Sequence, residues 1–252
     1  MLKAVLQVSS WQRLCYSFGA SAISLVTAAI GRKAKNINKF EDLINKSTGL
    51  DLVILSPVDE ISGLARVLID DLPNVESMLV INVGGSSTEA VFCVSGDVLD
   101  CYSLDLGTKY LSNNYVNDDP ISETDYNMMN TYIADTLAKA GFPKDLNVPV
   151  VHTGGELDFL MKCGCKLHDY DFSKNHPKIA QTADFINFVN DFKYLSSNEM
   201  YNIWALNPKW MAGAVACNSI ALAIAQRVRA NYIIPSNRNI ADGLIYARER
   251  NE

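Results

Sequence analysis

The sequence is poor in histidine, has no clustered basic face and lacks a long uncharged apolar run. Three histidines occur in 252 residues. His152, His168 and His176 show no spacing expected of a metal site, which leaves core or surface roles for them. Six cysteines are present, and apart from Cys163-Gly164-Cys165 they lie far apart. No zinc-type spacing and no export signal appears, so reduced thiols in a cytoplasmic protein are the expectation, with the Cys163/Cys165 pair read as packing. Lysine and arginine number 22 against 28 acidic residues, and the net charge of −6 is spread along the chain. That excludes the basic footprint of a nucleic-acid binder but leaves room for an anionic ligand gripped locally. The longest uncharged apolar stretch, Cys15 to Ile30, is broken by Gly19 and several serines and is too short to cross a bilayer comfortably. It is read as a buried strand near 22–28 with its turns, and no membrane association is expected. No low-complexity tract, fixed-period repeat or composition break is visible.

What is present is a folded α/β pattern. Almost half the residues, 48%, are apolar, enough for one domain or two modest ones. A helix is expected over 2–16. Phe40, Leu43 and Ile44 mark a second helix stopped by Gly49, and residues 50–55 read as a buried strand. Ile61, Leu64, Ala65, Leu68, Ile69 and Leu72 recur at helical spacing after Ser56, a cap that puts Asp59 and Glu60 in the first turn. "SMLVINV" is a buried strand. "TEAVFCV" and "VLDCYSL" flank Ser95-Gly96-Asp97 as a hairpin. A helix follows over 122–140, then the strand and glycine pair of "VPVVHTGGELDFL". The remainder reads as mostly helical, over 182–195, 197–206, 209–230 and 240–248, with a short strand "YIIP". The run Trp204 to Trp210 is expected to pack.

The chemistry concentrates in "VINVGGSSTEAVF". Its glycines let main-chain N–H groups approach an anion, and Ser86, Ser87 and Thr88 add hydroxyls. The loop joins strand to strand, whereas Walker and dinucleotide loops lead into a helix, so those two classes are disfavoured. Glu89 could hold a hard cation beside phosphate. Taken alone, Glu60 complements its helix N-terminus.

The order of these segments, from Val26 to Val94, resembles the exopolyphosphatase and guanosine pentaphosphate phosphohydrolase (Ppx/GppA) family. There "ATSAxRxAxN" precedes a helix, a strand, "SGxEEARL" and "DIGGGSTE". Later, Leu106 to Leu111 is similar to the family's "LGxxxL", His152 to Glu156 to its "GTGGT", and Asn239 to Ile245 to its "GLREGLL". The resemblance implies an α/β, actin-like ATPase or sugar-kinase-like two-domain fold, divided here as 1–78 and 79–252. It implies removal of terminal phosphate from polyphosphate or pppGpp with Mg²⁺, and it leaves room for a homodimer. By this resemblance Glu60 is the catalytic glutamate that activates water. Gly84, Gly85, Ser86, Ser87, Thr88, Arg32, Gly154 and Gly155 bind phosphate, and Asn82 with Glu89 holds the metal.

The departures are specific. Asn82 replaces the family's aspartate, which removes a negative charge and predicts weak Mg²⁺ binding. Ser86 replaces a glycine, Ser62 an arginine and Glu156 a threonine. A charged Glu156 would repel a polyanion, unless it binds a cation or caps the following helix. Gly31 blurs the register of Arg32 and Lys33. No "DxGSNS" first phosphate loop occurs, so the first domain is expected to be incomplete. A catalytically impaired relative that binds a phosphorylated nucleotide or a protein is therefore the alternative, and a sugar or acid kinase of the same fold is a third.

Overall fold

In the computed structural model the described residues are 1–206 and 208–249. Asn207, inside the 204–210 run, and the last three residues of the expected second domain lie outside them. The chain forms two compact units, Met1–Asp59 and Glu60–Glu252.

The first unit contains α1 (Leu2–Ser17), β1 (Leu25–Thr27), α2 (Ala29–Lys33), α3 (Ile37–Thr48) and β2 (Leu52–Ile54). β1 and β2 pair in parallel, Leu25 opposite Leu52. Its small core joins Val5 and Val8 of α1 to Ile44 of α3, with Leu25, Phe40, Leu43 and Leu50 against them. α3 stops as its sequence directs: Gly49 adopts φ 70° and returns its N–H to Asn45 O at 2.8 Å. Two expectations shrink. The strand sought over 22–28 is three residues long, and β2 is buried only at Leu52, with Val53 51% exposed. Alternation turns Val53 to the face of the two-stranded sheet opposite Leu52. The apolar stretch 15–30 is divided among the end of α1, a turn, β1 and the start of α2. No described helix is long and apolar enough to cross a membrane.

The second unit begins within α4 (Pro57–Asp71) and continues with β3 (Ser77–Val83), β4 (Thr88–Val94), β5 (Asp97–Leu104), α5 (Thr108–Tyr115) and α6 (Glu123–Lys139). Then come β6 (Val150–Thr153), α7 (Glu156–Lys162), β7 (His168–Ser173), β8 (His176–Gln181), α8 (Thr182–Phe192) and α9 (Ser197–Ile203). A 3-10 turn (Pro208–Gly213), α10 (Ala214–Arg227), β9 (Tyr232–Pro235) and α11 (Ile240–Glu249) complete it. Among the described residues these strands make a seven-stranded sheet ordered β5-β4-β3-β6-β9-β8-β7. The central β3, β6 and β9 are parallel, and the outer strands are antiparallel.

Both faces of β3 are covered, which is why its sequence is almost wholly apolar. Met78 and Val80 face α4 through Ile61, Leu64, Ala65 and Leu68, while Leu79 and Ile81 face a core shared with α6, α8 and α10. This packing of α4 explains why the units divide at Asp59 rather than at the expected residue 78. Ser95 and Gly96 both have positive φ, 51° and 85°, as a tight turn between β4 and β5 requires.

The segment 168–181, passed over in a mostly helical reading, is the β7–β8 hairpin. Its charged, exposed edge strand "HDYDFS" hides the apolar alternation. The helix expected over 209–230 is instead a 3-10 turn and α10 meeting at Gly213, where a Cβ would lie 2.9 Å from Thr108 Cβ.

Candidate functional site

β3 ends at Val83, and the chain turns through Gly84 to Ser87 into β4. Gly84 N–H donates to Ser87 O at 2.9 Å and closes the turn. The loop is also pinned from outside: Thr108 N–H donates to Gly84 O and Lys109 N–H to Gly85 O, each at 3.0 Å. The start of α5 thus satisfies its first donors on the loop carbonyls. The approach is so close that a Cβ on Gly107 would sit 2.4 Å from Gly85 O. Gly85 and Ser86 are exposed at the apex. Ser87 donates its hydroxyl to Glu89 Oε1 at 2.7 Å. The Thr88 hydroxyl, expected to meet phosphate, is buried and bonded to Leu106 O at 2.7 Å.

Asn82 and Glu89 are direct cross-strand partners. They lie two residues from Val80 and Val91, both packed against α4, so the pleat turns both side chains to the α4 face. α4 runs antiparallel to β3. Ile69 approaches the Gly96 turn, and Ser62 Oγ lies 3.9 Å from Cys101 Sγ further along β5. The helix N-terminus carrying Glu60 therefore lies toward the strand end that bears Asn82, Glu89 and the glycine loop. Glu60 is buried. The Ser56 cap is present as expected, with Asp59 N–H donating to Ser56 Oγ at 3.1 Å.

On the other face, a cavity of about 490 Å³ opens between the loop, α5, the 3-10 turn and α10. Gly84, Gly85 and Gly154 line it with Thr108, Lys109, Asn113, Trp210, Cys217 and Asn218, and Glu60 does not. Lys109 supplies a cation beside the N-terminus of α5, an arrangement suited to an anion. Lys109 carried no role in the sequence reading. Its signal was a lysine two residues after the glycine of the "LGxxxL" segment.

The second glycine pair is committed elsewhere. Gly154 (φ 107°) gives its N–H to Arg238 O at 2.9 Å, and Gly155 (φ 99°) to Ser236 O at 3.3 Å. Those amides face main-chain acceptors, so Gly154 contributes to the cavity wall and neither glycine offers its N–H to phosphate. Arg32, in the first unit, donates to Leu55 O at 2.7 Å.

Beneath the cavity lie His152 of β6, Glu156 at the start of α7 and Cys217 of α10. His152 is fully buried, and burial pushes its imidazole down to about 3. Burial pushes the Glu156 carboxyl up to about 8, against a weak opposing bond from the Cys217 thiol. Burial and the neighbouring Glu156 also raise the thiol. With no cation bound, Glu156 is therefore largely protonated at neutral pH. The repulsion expected of a charged carboxylate is then largely removed.

The comparisons with known proteins agree with this architecture. The family model described as the Ppx/GppA phosphatase family matches residues 1–252. The fold is similar to the crystal structure of the Aquifex aeolicus Ppx/GppA family member, with TM-score 0.80, 20% identity, and coverage of 99% of this chain and 81% of that one. It is also similar to an exopolyphosphatase from Cytophaga hutchinsonii, with TM-score 0.83, 18% identity, and coverage of 98% and 81%. No curated protein matches in the sequence comparison.

Proposed function

Because this chain belongs to the Ppx/GppA phosphatase family, we propose that it is a phosphoanhydride hydrolase acting on the terminal phosphate of inorganic polyphosphate or pppGpp. The observation that carries the reading is the convergence of three features at one end of β3. These are the externally pinned glycine loop, the cross-strand pair Asn82–Glu89, and the α4 N-terminus with Glu60. The loop apex at Gly85 and Ser86 holds the terminal phosphoryl group through main-chain and hydroxyl donors. Glu60 orients a water and accepts its proton as the water oxygen bonds to phosphorus. The bridging P–O bond breaks, and the electron pair leaves on the departing phosphate chain.

The oxygen-only pair of Glu89 and Asn82 fits a hard cation. Glu89 Oε1 accepts from Ser87 at 2.7 Å, which orients it, while the Thr153 hydroxyl donates to Ile81 O at 2.8 Å and lies 3.3 Å from Asn82 Oδ1. With one carboxylate between them they would hold Mg²⁺ weakly. When bound, Mg²⁺ supplies positive charge against the phosphate oxygens.

The test is phosphate release from medium-chain polyphosphate and from pppGpp, with and without Mg²⁺. Wild type should release phosphate, and Glu60→Gln should lose at least a hundredfold in kcat while remaining folded. Folded wild type that releases none from either substrate overturns the hydrolase reading.

A specific observation favours a second reading: an amide, Asn82, occupies the position of the family's metal-binding acid. The chain would then bind a phosphorylated nucleotide or polyphosphate without turning it over. Calorimetry with ppGpp and short polyphosphate decides it. Heat of binding without product supports it, and no heat with either ligand rejects it.

A further inference from the structure

Three side chains that play no part in the hydrolytic reading meet under the cavity floor. His152 leaves the sheet on β6. Glu156 lies four residues on, across the Gly154-Gly155 turn, and Cys217 approaches from α10. His152 Nδ1 lies 3.5 Å from Glu156 Oε2, and Cys217 Sγ lies 3.8 Å from both His152 Nε2 and Glu156 Oε1. One ligand atom from each residue falls within 4.8 Å of the other two. His152 is 0% exposed and Glu156 7%. His152 Nδ1 and Glu156 Oε2 have no hydrogen-bond partner, although they face each other. Buried polar atoms are ordinarily hydrogen-bonded, and two unmatched ones pointing into one space leave a place for a shared partner.

We propose that His152, Glu156 and Cys217 form a site for a zinc-class divalent cation, distinct from the Mg²⁺ position at Asn82 and Glu89. The donor set decides the class of metal. Imidazole nitrogen and thiolate sulfur suit zinc and its transition-metal neighbours, whereas Mg²⁺ takes oxygen. Tetrahedral bonds of about 2.0–2.3 Å separate donor atoms by about 3.3–3.8 Å; one donor atom from each residue lies within 4.8 Å of the other two, so small side-chain rotations bring the three to that spacing. A carboxylate and a thiolate around a divalent cation also leave the buried cluster without net charge, which a dry interior favours.

The fourth position opens toward the cavity, because Glu156 and Cys217 line it. Asn218 Oδ1, also buried and without a partner, belongs to the same wall and can accept from a water held there. The inference stands whether or not the chain hydrolyses phosphoanhydrides.

The test uses the full chain, stripped with chelator and titrated with Co²⁺ and then Zn²⁺. One equivalent of Co²⁺ should produce a near-ultraviolet thiolate band and visible bands of tetrahedral intensity, and Zn²⁺ should displace it. Cys217→Ser should abolish the thiolate band and weaken Zn²⁺ binding at least tenfold. Glu156→Gln provides a second disruption that keeps the thiol. Cys163→Ser and Cys165→Ser should leave both signals unchanged. The proposal is overturned if folded wild type shows no thiolate band. It is equally overturned if the band survives in Cys217→Ser or is lost in Cys163→Ser.

Discussion

Replacing Gly107 by alanine tests the pinning of the glycine loop most directly. Gly107 has φ −132° and ψ 145°, ordinary extended backbone, so alanine meets no torsional obstacle. The obstacle is steric: its Cβ would lie 2.4 Å from Gly85 O and 2.5 Å from Ser86 C and Cα. These are main-chain atoms, so no side chain can swing aside, and the loop must withdraw by about 1 Å to restore ordinary contact. Withdrawal breaks or lengthens the two bonds from Thr108 N–H and Lys109 N–H, worth about 1 kcal/mol each. Overpacking adds about 1–3 kcal/mol. Reduced freedom of the unfolded chain returns about 0.4–1 kcal/mol. The net loss is about 2–5 kcal/mol, or about 5–20 °C in the melting of the second unit.

Thermal and urea unfolding followed by circular dichroism measure this. Gly85→Ala is the control, because nothing lies within 4 Å of its Cβ and its φ is not positive. It should melt within about 0.5 kcal/mol of wild type, yet weaken polyphosphate binding by crowding the loop apex. Equal midpoints for Gly107→Ala and wild type would refute the argument, as would a Gly85→Ala loss matching that of Gly107→Ala.

Lys109→Ala should weaken polyphosphate binding several-fold at low salt and by less at high salt, because a screened point charge is removed; a salt-independent loss would contradict that. His176 gives a pH dependence. Its imidazole, bonded to Ser236 Oγ at 2.8 Å, is held below its ordinary value by burial; Asp71 opposes this and Arg238 adds to it. The folded state resists a proton that the unfolded chain accepts below about pH 6.5. Stability should therefore be greatest with respect to this group above that pH and decline as pH falls, with His152 contributing in the same direction. In His176→Gln the decline between pH 6.5 and 5 should be shallower, and an identical slope would count against the assignment.

The features that were legible are those governed by near neighbours. The stop at Gly49, the cap at Ser56, the β4–β5 turn and the apolar stripe of α4 each follow from a few consecutive side chains and backbone torsions. The strand-loop-strand context of the glycines was equally local, and it correctly set aside helix-leading phosphate loops. The β7–β8 hairpin escaped because charged residues on an exposed edge mask alternation, and α5 because it is short and polar.

Composition, order and periodicity by themselves determined an α/β chain with a glycine loop between two strands and an acid at the head of a helix. Tertiary structure alone decided which donors remain for a ligand. It committed the Gly154 and Gly155 amides to the main chain around residues 236–238 and turned the Thr88 hydroxyl inward. It also brought Cys217 to His152 and Glu156 across more than sixty residues of sequence. The physical reason is that hydrogen-bond commitment and desolvation depend on atoms distant in the chain, whereas turns and caps depend on atoms adjacent in it.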